Sequence, residues 1–183
     1  MYRRMLLVLL AVSTALGVLV NTGHATPSSL RDTLAARFGL SRIEVQNPSG
    51  EGHVIRQGTV LQLQADGIPA NKLRFTQINT KSPRFHSPDY APVEVGRDGR
   101  LAAKPGELSL PKGTRMVVLD LKVGADRVRL LTHTLEPVRL PDGTTGYGCT
   151  EFVFVFDPGT LDRADVTTVA SRIDQWLAST SAS

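Results

Sequence analysis

The stretch from Gly113 to Phe156 constrains this chain most, because apolar residues recur at every second position through three successive runs. In GTRMVVLDLKV, Val117, Leu119, Leu121 and Val123 alternate with Val118, Asp120 and Lys122, the period of a strand with one buried face. A helix would scatter these residues around its axis. Gly124, Ala125 and Asp126 carry turn chemistry. Val128, Leu130 and Thr132 then alternate with Arg127, Arg129, Leu131 and His133, which predicts a hairpin. A second reversal is expected at Pro141-Asp142-Gly143, ahead of YGCTEFVFVF. There Phe152, Phe154 and Phe156 share one face, and Val153 and Val155 make the other face apolar too, so this run is expected at the sheet centre. The three phenylalanines could line a ligand site, but the alternation already accounts for them as core. Together the runs predict an antiparallel meander.

The chain begins MYRRMLLVLLAVSTALGVLV, with Arg3 and Arg4 ahead of an apolar run and Gly23 and Ala25 in a small-residue cleavage pattern. Residues 1–25 therefore read as a secretory signal peptide, and the protein as exported, periplasmic or extracellular. An uncleaved anchor is the competing reading, since the apolar run approaches spanning length. No basic stop-transfer cluster follows it, so no stable membrane span is expected after cleavage. Without Arg3 and Arg4, 19 basic residues face 17 acidic ones, an excess of +2. Spread along the chain without a basic run, that excess argues against a nucleic-acid partner. Cys149 is the only cysteine, so no internal disulfide can form and packing must supply stability; burial as a small hydrophobe is the simplest role for it. Residues 26–183 are long enough for one domain with its own core.

In SSLRDTLAARFG, Leu30, Leu34 and Phe38 fall at every fourth position before Gly39, which predicts a short amphipathic helix. Strands are expected around Ile43 and Val45, from His53 to Arg56, from Thr59 to Gln64 and near Leu73, Phe75 and Gln77. From 80 to 112 the pattern fails. Pro83, Pro88, Pro92, Pro105 and Pro111, with three glycines, predict an irregular excursion. Long irregular segments are often binding segments, so this one is the leading functional candidate, with Phe85, His86 and Tyr90 as a candidate partner-binding surface. The plainer alternative is a surface loop that its aromatics anchor to the sheet. Near the C-terminus, Asp162 is expected to cap a helix whose Val166, Val169, Ile173, Trp176 and Leu177 face the sheet.

Chemistry is harder to find. His53, His86 and His133 lack a second metal ligand at zinc-motif spacing, and Asp157, Asp162 and Asp165 lack the glycine and alternate carboxylates of a calcium loop. No nucleophile elbow, phosphate loop or dinucleotide fingerprint occurs, so no cofactor is expected. His133 and Cys149 could approach across the turn near Asp142, along with Glu151, the nearest thing to a Cys-His pair.

GTVLQLQADGI, the GTRMVVLDLKVGADRVRLLTHT hairpin, EFVFVF and DVTTVASRIDQWL together resemble a group of small exported bacterial proteins of unassigned function. The resemblance rests on strand and helix patterns and brings no catalytic residue with it. The expected fold is α+β: an antiparallel sheet or small β-barrel, with one N-terminal and one C-terminal helix packing on it. The expected function is a non-catalytic binding or envelope-associated protein with a protein or envelope component as partner. A carrier of a small apolar ligand is the alternative, and a hydrolase using His133 and Cys149 a third reading.

Overall fold

The structure, a computed structural model, describes residues 27–46, 51–74, 89–163 and 165–180. Residues 1–25, and Phe85 and His86 within 75–88, lie outside them. The elements in order are α1 (Pro27–Phe38), β1 (Arg42–Gln46), β2 (Glu51–Arg56), β3 (Val60–Leu63), β4 (Ile68–Lys72), β5 (Ala91–Val95) and β6 (Leu101–Ala103). There follow β7 (Leu108–Leu110), β8 (Arg115–Val123), β9 (Arg127–Thr134), β10 (Val138–Arg139), β11 (Thr145–Gly146) and β12 (Gly148–Val155). The chain closes with α2 (Thr160–Arg163), α3 (Val166–Asp174) and β13 (Leu177–Ser179). Nine strands form one curled, half-barrel sheet in the order β13-β3-β8-β9-β12-β4-β7, with β5 on β12 and β6 on β5. The pairs β1-β2 and β10-β11 stand as separate ribbons.

The meander β8-β9-β12 is present, with Val123 opposite Val128 around the predicted turn and Gly124 N–H bonded to Arg127 C=O at 2.8 Å. One strand departs from simple alternation. A β-bulge between Val118 and Asp120 inserts Leu119, so the core receives Met116 and Val118 before it and Leu121 after it. The expected single face of Val117, Leu119, Leu121 and Val123 is thereby split, with Val117 buried opposite His133 on the other face. β12 is central. β9 lies along one flank, and the other is shared by β4, beside Gly148 and Cys149, and β5, beside residues 150–154. Phe152, Phe154 and Phe156 are buried in the core.

Three expectations are corrected. The segment 80–112 is not an irregular excursion from Ala91 onward, because β5, β6 and β7 lie within it. Pro92 sits in β5 where β6 has not yet joined, since β6 pairs only Val93–Val95, and a missing N–H is tolerated on such an open side. Of the strand expected near Leu73, Phe75 and Gln77, the described part differs: β4 ends at Lys72 and Leu73 lies buried just beyond it, while Phe75 and Gln77 lie outside the described residues. The single C-terminal helix is divided: Asp162 lies inside α2, Asp165 occupies the N-cap position of α3, and the helix stops at Asp174. There Gln64 N–H bonds the Trp176 carbonyl at 3.0 Å and Leu177 pairs with Leu63, so sheet hydrogen bonds replace a further helical turn.

The core sits in the concave side of the sheet, joining Leu30, Leu34 and Phe38 to Leu61, Leu63, Met116, Leu121, Val169 and Ile173. Trp176 packs half-buried against it. No described helix is long and apolar enough to cross a membrane.

Candidate functional site

Two regions merit weighing as sites, one on each side of β12. The first contains the Cys-His pair expected from the sequence. Cys149 lies directly opposite His133 in the β9-β12 ladder, so both side chains leave the same face of the sheet. Neither is prepared for nucleophilic chemistry. The Cys149 thiol donates to the carbonyls of Asn71 and Asp89 at 3.3 and 3.4 Å, and burial pushes its pKa up to about 12. A nucleophilic cysteine needs the opposite shift. His133 is fully buried, and burial lowers its pKa below 6.5. Its Nδ1–H donates to the Thr134 carbonyl at 2.5 Å, the Tyr147 ring meets the imidazole edge-on at 5.8 Å, and Nε2 has no partner among the described residues. Glu151 is engaged by Arg129. Tyr90 lies half-buried near Cys149, its phenol held protonated far above the usual tyrosine range by burial. Among the described residues no three His, Cys, Asp or Glu side chains cluster as a metal ion would need.

The second region is a groove of about 890 Å³ at the β4-β7 edge of the sheet, where the chain 105–111 faces the β10-β11 ribbon. Its floor is Pro69, Leu108, Leu110 and Leu140, and its walls include Pro105, Pro111 and Pro141. Glycine makes the close packing here possible. A Cβ at Gly106 would stand 2.5 Å from the Ala70 carbonyl oxygen, and one at Gly148 only 3.2 Å from the Ala70 side chain.

Hydrogen bonding sets which way the edge faces. Ala70 turns its N–H and C=O toward β7, as the approach of Gly106 shows, and Lys72 N–H turns the same way to the Glu107 carboxylate at 2.9 Å. Pro69 turns its carbonyl the other way, to the Thr150 hydroxyl at 2.9 Å. Since successive residues alternate, Ala70 with Leu108 and Ile68 with Leu110 form the hydrogen-bonded pairs. Ser109, opposite Pro69, therefore presents its own N–H and C=O to an edge that no other described strand pairs. Prolines 105 and 111 bracket this short edge and limit how much strand can add to it. Exposed Glu107 and Arg139 place opposite charges on the two rims.

Tyr90 belongs to the first region, and the sequence reading missed Ser109 and Arg139. The visible signal was LSL between Pro105 and Pro111, an in-out-in triplet too short to stand out. No family model, no curated protein and no solved structure matches this chain.

Proposed function

We propose that this chain is an exported, non-catalytic binding protein of the bacterial cell envelope, and that the groove beside β7 takes an extended segment of a partner protein. In the same reading α1 and α3 close the concave face of the sheet as the two helical covers expected from the sequence. The groove carries the proposal: an apolar, proline-walled channel with the peptide group of Ser109 along it, unpaired among the described residues. An extended backbone can pair with that peptide group while apolar side chains rest on Leu108 and Leu110. Arg139, exposed on the rim across from Glu107, would set its direction, since the Glu107 carboxylate is already held by Lys72 N–H and Arg74. The buried, carbonyl-bonded thiol of Cys149 counts only against a hydrolase that uses it as nucleophile.

Capture from native envelope extract tests this, using the full mature protein, Ser109→Pro and Arg139→Glu. Proline at 109 removes an outward N–H while leaving the β4 ladder intact, so the variant should melt as the parent does. A partner held by the parent and lost by both variants supports the groove; retention by Ser109→Pro overturns it.

A carrier of a small apolar ligand is the second reading, favoured by a volume within the range of small-molecule sites. It would show as a lipophilic molecule extracted from purified protein and displaced by Leu108→Trp.

A further inference from the structure

Past the opposite end of β12 from the groove lies a second cleft, of about 620 Å³, whose chemistry differs throughout. The turn after β5, the residues following β12 and one side of α3 enclose it. Its charged residues are Arg97, Asp98, Asp157 and Arg172, two of each sign. All are already engaged. Arg97 Nε lies 3.6 Å from Asp157 Oδ1, and Asp98 Oδ1 accepts the Arg100 N–H at 3.0 Å. Arg172 donates to the Gly96 carbonyl while its guanidinium lies 4.8 Å above the centre of the Phe156 ring. Such a balanced set gives no net attraction for an anion.

The uncommitted groups are neutral. Thr167, Thr168, Ser171 and Gln175 are exposed along the cleft side of α3, and none of their side chains bonds another described residue. Thr167, Ser171 and Gln175 follow one another at four-residue spacing, so they form one row. Short hydroxyl side chains are poor choices for an exposed helical face, since each costs about half a kcal/mol of helix propensity relative to alanine. They also leave the cleft open, where glutamate or lysine would fill it. Every hydroxyl both donates and accepts, and an amide adds two donors beside an acceptor. That is the complement of a ligand that is itself covered in hydroxyl groups. The Arg172 guanidinium, held over the buried Phe156 ring, lines the same cleft and gives the C–H face of a sugar ring a surface to rest on.

We propose that this cleft binds a neutral saccharide, of one or two rings to judge from its volume. This site is independent of the groove and of its proposed protein partner.

The test is titration of the full mature protein, observed by amide resonances, with maltose, cellobiose and N,N′-diacetylchitobiose, and separately with inorganic phosphate. At least one disaccharide should shift the resonances of residues 167–175 and 97–99 saturably, and phosphate should not. Thr168→Val and Gln175→Leu lie at exposed positions and should keep the parent melting temperature while weakening binding at least tenfold. The proposal is overturned if none of the three sugars shifts these residues, if phosphate alone does so, or if both variants bind sugar as the parent does. Loss of groove capture in Ser109→Pro would leave all these outcomes unchanged.

Discussion

At the level of single residues, His133 is the most informative side chain. With Nδ1 donating to Thr134 and Nε2 bare, the ring is neutral in the fold, and burial holds its pKa below 6.5. The unfolded chain therefore takes up this proton first as pH falls. The contribution of His133 to stability is intact above pH 6.5 and is lost as pH drops below it, by at most about 1.4 kcal/mol per pH unit. Urea titrations at pH 7.5 and 5.5 should show the loss, and His133→Gln should flatten it; an unchanged slope in the variant would remove His133 as the cause. Cys149, with its pKa raised to about 12, should resist iodoacetamide at pH 8 until the protein is denatured. Rapid native labelling would revive the hydrolase reading. At Gly58 a Cβ would overlap the Gly39 carbonyl oxygen, and that oxygen already accepts the Thr59 N–H at 3.0 Å. The obstacle is backbone, so Gly58→Ala should cost about 3 kcal/mol, near the upper range for an added methyl group. A chemical denaturation curve decides it.

Among the elements, legibility follows the range of the interaction that decides each one. The β8-β9 hairpin and β12 were readable because alternation and turn residues lie side by side in the chain. The bulge was not, since VVLDL reads as unbroken alternation, and only pairing with Leu131 and Thr132 shows that Leu119 is the added residue. The end of α3 was hidden for the same reason: Trp176 and Leu177 continue the helical spacing, yet Leu177 is taken by Leu63, far earlier in the chain. Trp176 remains a packing residue, half-buried against the core. Trp176→Ala should cost about 2 kcal/mol, less than a fully buried tryptophan, and lower Tm by about 4 to 8 °C. An unchanged Tm would refute the packing. The groove was half legible: its prolines marked the segment 80–112 as unusual, but Ser109 gains its free peptide group only from pairing with β4.

On the scale of the whole molecule, distant segments hold the sheet together. β13, from the last residues described, covers the edge of β3, with Thr180 N–H reaching the Val60 carbonyl at 3.0 Å. A chain ending at Gln175 would leave Leu61 and Leu63 at an open edge. Such a truncation should lose its cooperative melting transition, and a calorimetric scan that still shows the parent transition would mean that β13 is dispensable.

The parallel pairing of β5 with β12 has a consequence for how the chain is made. Every other described pairing in the large sheet is antiparallel, and apart from the short β6 hairpin beside it β5 joins the sheet only through a strand synthesised more than fifty residues later. β4 and β9 wait for that same strand. A ribosome that has released the first three quarters of this chain has produced β3, β8 and β9 as one piece of the sheet, and β4 with β7 and β5 with β6 as pieces that nothing yet joins to it. The separate pieces can close into one sheet only once residues 148–155 have been made, so the last quarter of the chain decides when the whole becomes a single cooperative unit.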